Sequence, residues 1–191
     1  MTTTKKEFEL HQQSFDREGK ELSFETGKLA VQADSSIEIK FAENVLLVST
    51  VMEVNNPKKD ADFLPLTLDF RDSYSAAGRI GGAVYRRREG RPTDTVTLYG
   101  RLTDRSLRPM FPKGMINDVV VSVTPLALDH EHPLGVMTLI GASVSIMAAG
   151  LPFDGPVGAA QIAYIDGKYI INPTNEQLEK SILNLLVAGK K

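Results

Sequence analysis

The stretch DTVTLYGRLTDRSLRPMFP, residues 94–112, has a helical period and ends in a proline-rich stop. On a wheel of about 100° per residue with Arg101 at zero, Arg105 falls near about 40° and Arg108 near about −20°. Leu102, Tyr99, Val96 and Leu107 fall between about 100° and 240°, on the opposite side. Leu98 is the exception, beside the basic stripe. The period predicts a helix over residues 94–108, ended by Pro109. Its apolar face needs a sheet to pack on, while three arginines point at a common target. The plainer reading of such a stripe is a solvated basic face.

Working outward, residues 71–93 form a long loop with Gly78, Gly81, Gly82, Gly90 and Pro92. A loop of about twenty residues inside a domain is either functional or disordered. It contains AAGRIGGAVYRRREGRP, residues 76–92. Nine of the ten arginines fall between positions 71 and 108, against four acids and no lysine. That window carries a formal +5 and the rest of the chain −7, giving the net −2. A basic patch on an otherwise acidic chain is the footprint of an anion site. Guanidinium groups fork onto phosphate oxygens where ammonium groups act as point charges. Tyr85 beside Arg86, Arg87 and Arg88 suits single-stranded nucleic acid, the ring stacking on a base and the arginines holding the backbone. No Gly-Lys-Ser/Thr follows, so the loop is not a P-loop.

The flanking sequence supplies strands. Residues 8–15 and 21–26 flank an Asp16-Arg17-Glu18-Gly19 turn. Strands are expected at 29–32, 36–41, 45–54, 63–70 and 118–128, with a polar loop over 55–62. Asp166-Gly167 joins strands 158–165 and 169–171 as a hairpin. Thr174 and Gln177 make a capping box for a short helix over 174–181, and 182–187 reads as a last strand. Strands first, then strands interleaved with three helices, predict an α+β or α/β layered domain.

The chain has 191 residues, 42% hydrophobic and 24% charged, as a core-forming protein does. It has no cysteine, which excludes a disulfide scaffold and thiolate metal sites. Its first residues carry lysines but no apolar run, so no secretory signal is read. Residues 134–151 are uncharged, but they are rich in Gly, Ala and Ser and lie between Pro133 and Pro152. They are expected to form a helix buried between layers rather than a membrane span. Asp129-His130-Glu131-His132 reads as a solvated loop rather than a metal site, and no pair of inward carboxylates stands out for acid–base or two-metal chemistry. Gly141-Ala142-Ser143-Val144-Ser145 is not a nucleophile elbow.

Several of these segments together resemble a known family. They are Phe63-Leu64-Pro65-Leu66-Thr67, AAGRIGG, REGRP at residues 88–92, RLTDRSLRPMFP at 101–112, LPFDGPVGAA at 151–160, Asn172-Pro173-Thr174 and Leu186-Val187-Ala188-Gly189. The chain resembles the first RNase PH-type domain of the bacterial polyribonucleotide nucleotidyltransferases, from about residue 8 to residue 189. The resemblance implies an α+β fold of RNase PH type (ribosomal protein S5 domain 2-like), with mixed β-sheet layers packed with helices. It implies the non-catalytic, RNA-gripping half of a cytoplasmic, phosphate-dependent, processive 3′-to-5′ exoribonuclease of mRNA degradation. Such an enzyme releases nucleoside diphosphates, with inorganic phosphate as co-substrate and Mg²⁺ held by a separate catalytic domain. It works as a homotrimer on single-stranded RNA, with RNA-degradation proteins as further partners.

By the same resemblance, Tyr85, Arg87 and Arg88 match the channel constriction, Arg101, Arg105 and Arg108 face the RNA, and Arg86 and Arg91 are counted with them as RNA- or phosphate-binding residues. Which of Arg86, Arg87 and Arg88 points inward is open, because Tyr85 stands alone where the family commonly has two adjacent aromatics. The family's catalytic pattern, Asp-x5-Asp-x-Lys, is not matched: Ala160 stands at its first position and Asp166-Gly167-Lys168 reads as a turn. No catalytic or metal residue is therefore expected in residues 1–191. The domain is expected to stop before its last strand and helix, with helical, catalytic, KH and S1 domains beyond it. The alternatives are a stand-alone RNA-binding module of the same fold and a small self-sufficient phosphorolase, which the missing Asp pair disfavours.

Overall fold

A computed structural model of the chain describes residues 10–17, 20–55, 57, 62–81 and 91–190. Strands β1 (His11–Arg17), β2 (Lys20–Thr26), β3 (Ser35–Phe41), β4 (Asn44–Met52), β5 (Leu66–Phe70) and β6 (Val119–Ala127) form one sheet. Its order is β1-β2-β3-β4-β6-β5, antiparallel except that β5 runs parallel to β6. Helices α1 (Asp94–Leu107) and α2 (Gly135–Ala148) follow β5 and β6. A second sheet of order β8-β7-β9 is built from β7 (Gly158–Ile165), β8 (Lys168–Ile171) and β9 (Asn184–Gly189), with the short helix α3 (Asn175–Lys180) before β9. The expected α+β layering is what forms.

α2 packs on β3 and β4 on one side and on β7 on the other. Its small residues make this possible. A Cβ on Gly141 would stand 2.9 Å from Val48 Cγ2 and 3.2 Å from Ile39 Cγ2, so the helix lies directly on the sheet. The Ser145 and Thr50 hydroxyls meet at 2.8 Å in the interior, and the Val157 N–H donates to Ser143 Oγ at 2.8 Å. The uncharged run is thus a core helix, and no described helix is long and apolar enough to cross a membrane. Ile39, Leu46, Val48, Val119, Val121, Val123, Leu107, Leu139 and Ile146 form the center of the core.

The turn at Asp166-Gly167 has positive φ at both residues, 49° and 80°, as a tight hairpin requires. The Thr174–Gln177 capping box is present in both directions. One expected strand is absent. Residues 29–32 are bends and turn, because the chain must reverse between the paired strands β2 and β3. Ala30 takes φ 48°, the Ala33 N–H reaches back to Ala30 O at 3.0 Å, and Ser36 Oγ donates to Leu29 O.

Candidate nucleic-acid interface

α1 is amphipathic in the way its sequence dictates. Val96, Gly100, Thr103 and Leu107 are buried, and Tyr99 and Leu102 pack partly against the core. Gly100 faces β5, where an added Cβ would make only ordinary contact with Leu68 Cδ2 at 3.5 Å. Leu98 is 62% exposed, on the face the wheel assigned it. The helix starts at Thr93, whose hydroxyl accepts the Val96 N–H, and Asp94 sits favorably in its first turn.

Between α1 and β5 lies an open groove of about 630 Å³. Arg101, Arg105 and Arg108 all line it, together with Thr67, Asp69, Thr97 and Asp104. Asp69 is paired with Arg71 at 2.6 Å, and Asp104 with Arg108 at 2.7 Å, so both carboxylates are internally compensated. Arg101 and Arg105 are exposed and have no ion pair among the described residues. The groove therefore offers two uncommitted guanidinium groups one helical turn apart, an arrangement suited to phosphate oxygens.

Arg108 differs from its two neighbors. Its Nε and one terminal nitrogen donate to the Asp104 carboxylate at 3.2 and 2.7 Å. The terminal nitrogens also donate to Leu64 O at 2.6 Å and Leu66 O at 3.1 Å. The wheel placed it correctly in the stripe, but most of its donors are engaged within the domain. Nothing local in the sequence announces those carbonyls, which lie 42 and 44 positions away.

The root of the arginine loop rests on Asp72 and Thr93, two residues assigned no binding role from the sequence. Asp72 accepts the Thr93 N–H, and Arg79 and Arg91 line a recess of about 220 Å³ with Asp72, Tyr74 and Thr93. Thr93 directly before Asp94 and a helical period was the available signal. Tyr85, Arg86, Arg87 and Arg88 lie outside the described residues.

The segment over 129–132 corrects the expectation of a solvated loop. His130 is exposed, at φ 61°, but His132 is 7% exposed. Its Nδ1 lies 2.5 Å from Asp129 Oδ2, and its ring meets Phe41 edge-on at 5.5 Å between centroids. Burial by itself would raise the Asp129 pKa. Hydrogen bonds from the His132 backbone and ring and from the Glu131 backbone outweigh it and hold the carboxyl below its ordinary value. This is a structural pair. Among the described residues no group of three His, Cys, Asp or Glu side chains could hold a metal ion.

An α+β domain that turns a basic helix face onto a groove at a sheet edge is a fold with known relatives. The chain belongs to the 3′ exoribonuclease family: the domain 1 pattern of that family matches residues 18–152, and its domain 2 pattern matches residues 155–191. The chain is 42% identical over 182 residues to the polyribonucleotide nucleotidyltransferase of Maricaulis maris, covering 95% of this chain and 25% of that protein. It is 46% identical over 171 residues to the enzyme of the same name from Acidiphilium cryptum, covering 90% and 24%. It thus spans about a quarter of the length of the curated relatives it matches. The crystal structure of rice Rrp46 superposes with a TM-score of 0.61 at 10% identity, covering 96% of this chain and 82% of that one, a likeness of fold.

Proposed function

We propose that this chain is the first RNase PH-type domain of a polyribonucleotide nucleotidyltransferase, and that it grips single-stranded RNA without performing the chemistry itself. The observation that carries the reading is the α1–β5 groove, where Arg101 and Arg105 stand exposed and unpaired among the described residues while the nearby carboxylates are neutralized. Two such cations bind a phosphate backbone whatever its sequence. Arg91 and the loop residues Tyr85, Arg86, Arg87 and Arg88 extend the same grip along the strand, by stacking and charge.

The activity of the whole enzyme is 3′-to-5′ phosphorolysis of RNA in mRNA degradation, with inorganic phosphate as co-substrate, in a cytoplasmic homotrimer that also meets other RNA-degradation proteins. In this reading Mg²⁺ is held by the family's separate catalytic domain, which performs the phosphorolysis.

The test uses the purified chain. It should bind a fluorescent oligo(A) with an affinity that falls as salt rises, and with Mg²⁺ and phosphate it should release no ADP from poly(A). Failure to bind at low salt overturns the RNA grip. Phosphate-dependent ADP release overturns the non-catalytic assignment and points to a self-sufficient phosphorolase.

A further inference from the structure

We infer that Arg108 serves RNA binding as a positioning residue rather than as a contact, through a clasp with Asp104 that fixes α1 against the rim of its own groove; this rests on the RNA-gripping reading. β5 is an edge strand among the described strands. The Val119 N–H takes Pro65 O, on the side toward β6. Leu64 O, which also accepts the Leu66 N–H at 2.9 Å in a tight turn at the start of β5, and Leu66 O lie on the side that Arg108 reaches. Arg108 donates to both of these and to both oxygens of Asp104, four hydrogen bonds in all. The fork thus ties the last turn of α1 to the open rim of β5, and the spacing between them is the width of the groove.

The clasp also removes a conflict of charge. Asp104 lines the groove beside Arg101 and Arg105, where a bare carboxylate would repel phosphate. Arg108 neutralizes it, leaving the two free guanidinium groups to dominate. A lysine at 108 has no planar fork and cannot make this set of contacts.

The two roles predict opposite signs for one substitution. If Arg108 touched RNA, Asp104→Asn would remove a negative charge and free the arginine, and binding would tighten or stay the same. In the clasp, Asp104→Asn loosens the helix and weakens oligo(A) binding by about fivefold or more, the lower range of coupling between linked groups. Arg108→Lys should be as weak as Arg108→Ala although it keeps the charge. In an Arg101→Ala/Arg105→Ala background, Asp104→Asn should change nothing more, because it acts through those two residues.

Binding is read by anisotropy, with a thermal melt for each variant to verify folding; should Arg108→Ala not fold, Asp104→Asn and Arg108→Lys decide. Unchanged or tighter binding by Asp104→Asn, or wild-type binding by Arg108→Lys, overturns the clasp while leaving the RNA grip standing. A wild-type chain that binds no RNA overturns both.

Discussion

The Asp72 carboxylate accepts the Thr93 backbone N–H at 2.6 Å and the Thr93 hydroxyl at 3.4 Å. One side chain therefore joins the two ends of the arginine loop and also fixes the residue that caps α1. Asp72→Ala removes a charge-assisted bond at a solvent-facing site. We expect a stability loss of about 1 kcal/mol, toward the lower end for such bonds, read by urea denaturation. Hydrogen exchange in the first turn of α1 should rise at the same time. Unchanged exchange there would mean the loop root is held by other contacts.

Arg101 and Arg105 are exposed, and their helix is anchored by other residues. Changing both to Ala should leave the melting temperature within a degree or two, since surface changes are usually worth less than about 0.5 kcal/mol. The salt dependence of RNA binding should flatten by about 1.4, at about 0.7 per phosphate contact on a single strand. Anisotropy titrations at several salt concentrations measure this, and an unchanged slope would reduce the stripe to a solvated face.

In the second sheet, Tyr169 and Ile171 of β8, Ile162 of β7, and Leu185 and Val187 of β9 share one face by register. Leu185 and Val187 are exposed, and β9 pairs only with β7 among the described strands. An apolar edge without charge invites association. The isolated chain should self-associate with rising concentration in sedimentation experiments, and Val187→Lys should suppress this. Strict monomers at high concentration would argue against it.

The depressed Asp129 pKa gives a signed pH dependence. Its folded form binds protons less readily than the unfolded chain, so its contribution is complete above the ordinary carboxylate value of about 3.9. It is lost as pH falls below that toward the folded value. Urea midpoints measured from pH 5 to pH 2.5 should decline less steeply in Asp129→Asn, which would start from a lower stability at neutral pH. Parallel curves would remove this pair from the acid response.

The sequence alone determined the elements whose signals are local. The α1 period put Val96 and Leu107 inside and Arg101 and Arg105 outside. Asp166-Gly167 made its hairpin, Thr174 and Gln177 their capping box, and the small residues of α2 a helix that sits directly on a sheet. These signals are complete within a turn or a few strand residues, so they survive any long-range arrangement. Only the tertiary structure decided which charges are free. Arg101, Arg105 and Arg108 are indistinguishable on a wheel, yet Arg108 alone meets the Leu64 and Leu66 carbonyls when β5 comes to lie beside α1. His132 is buried because Asp129 and Phe41 close around it, and residues 29–32 turn because β2 and β3 must pair. A polar group's role depends on whether the fold brings it a partner, and that partner comes from a distant part of the chain.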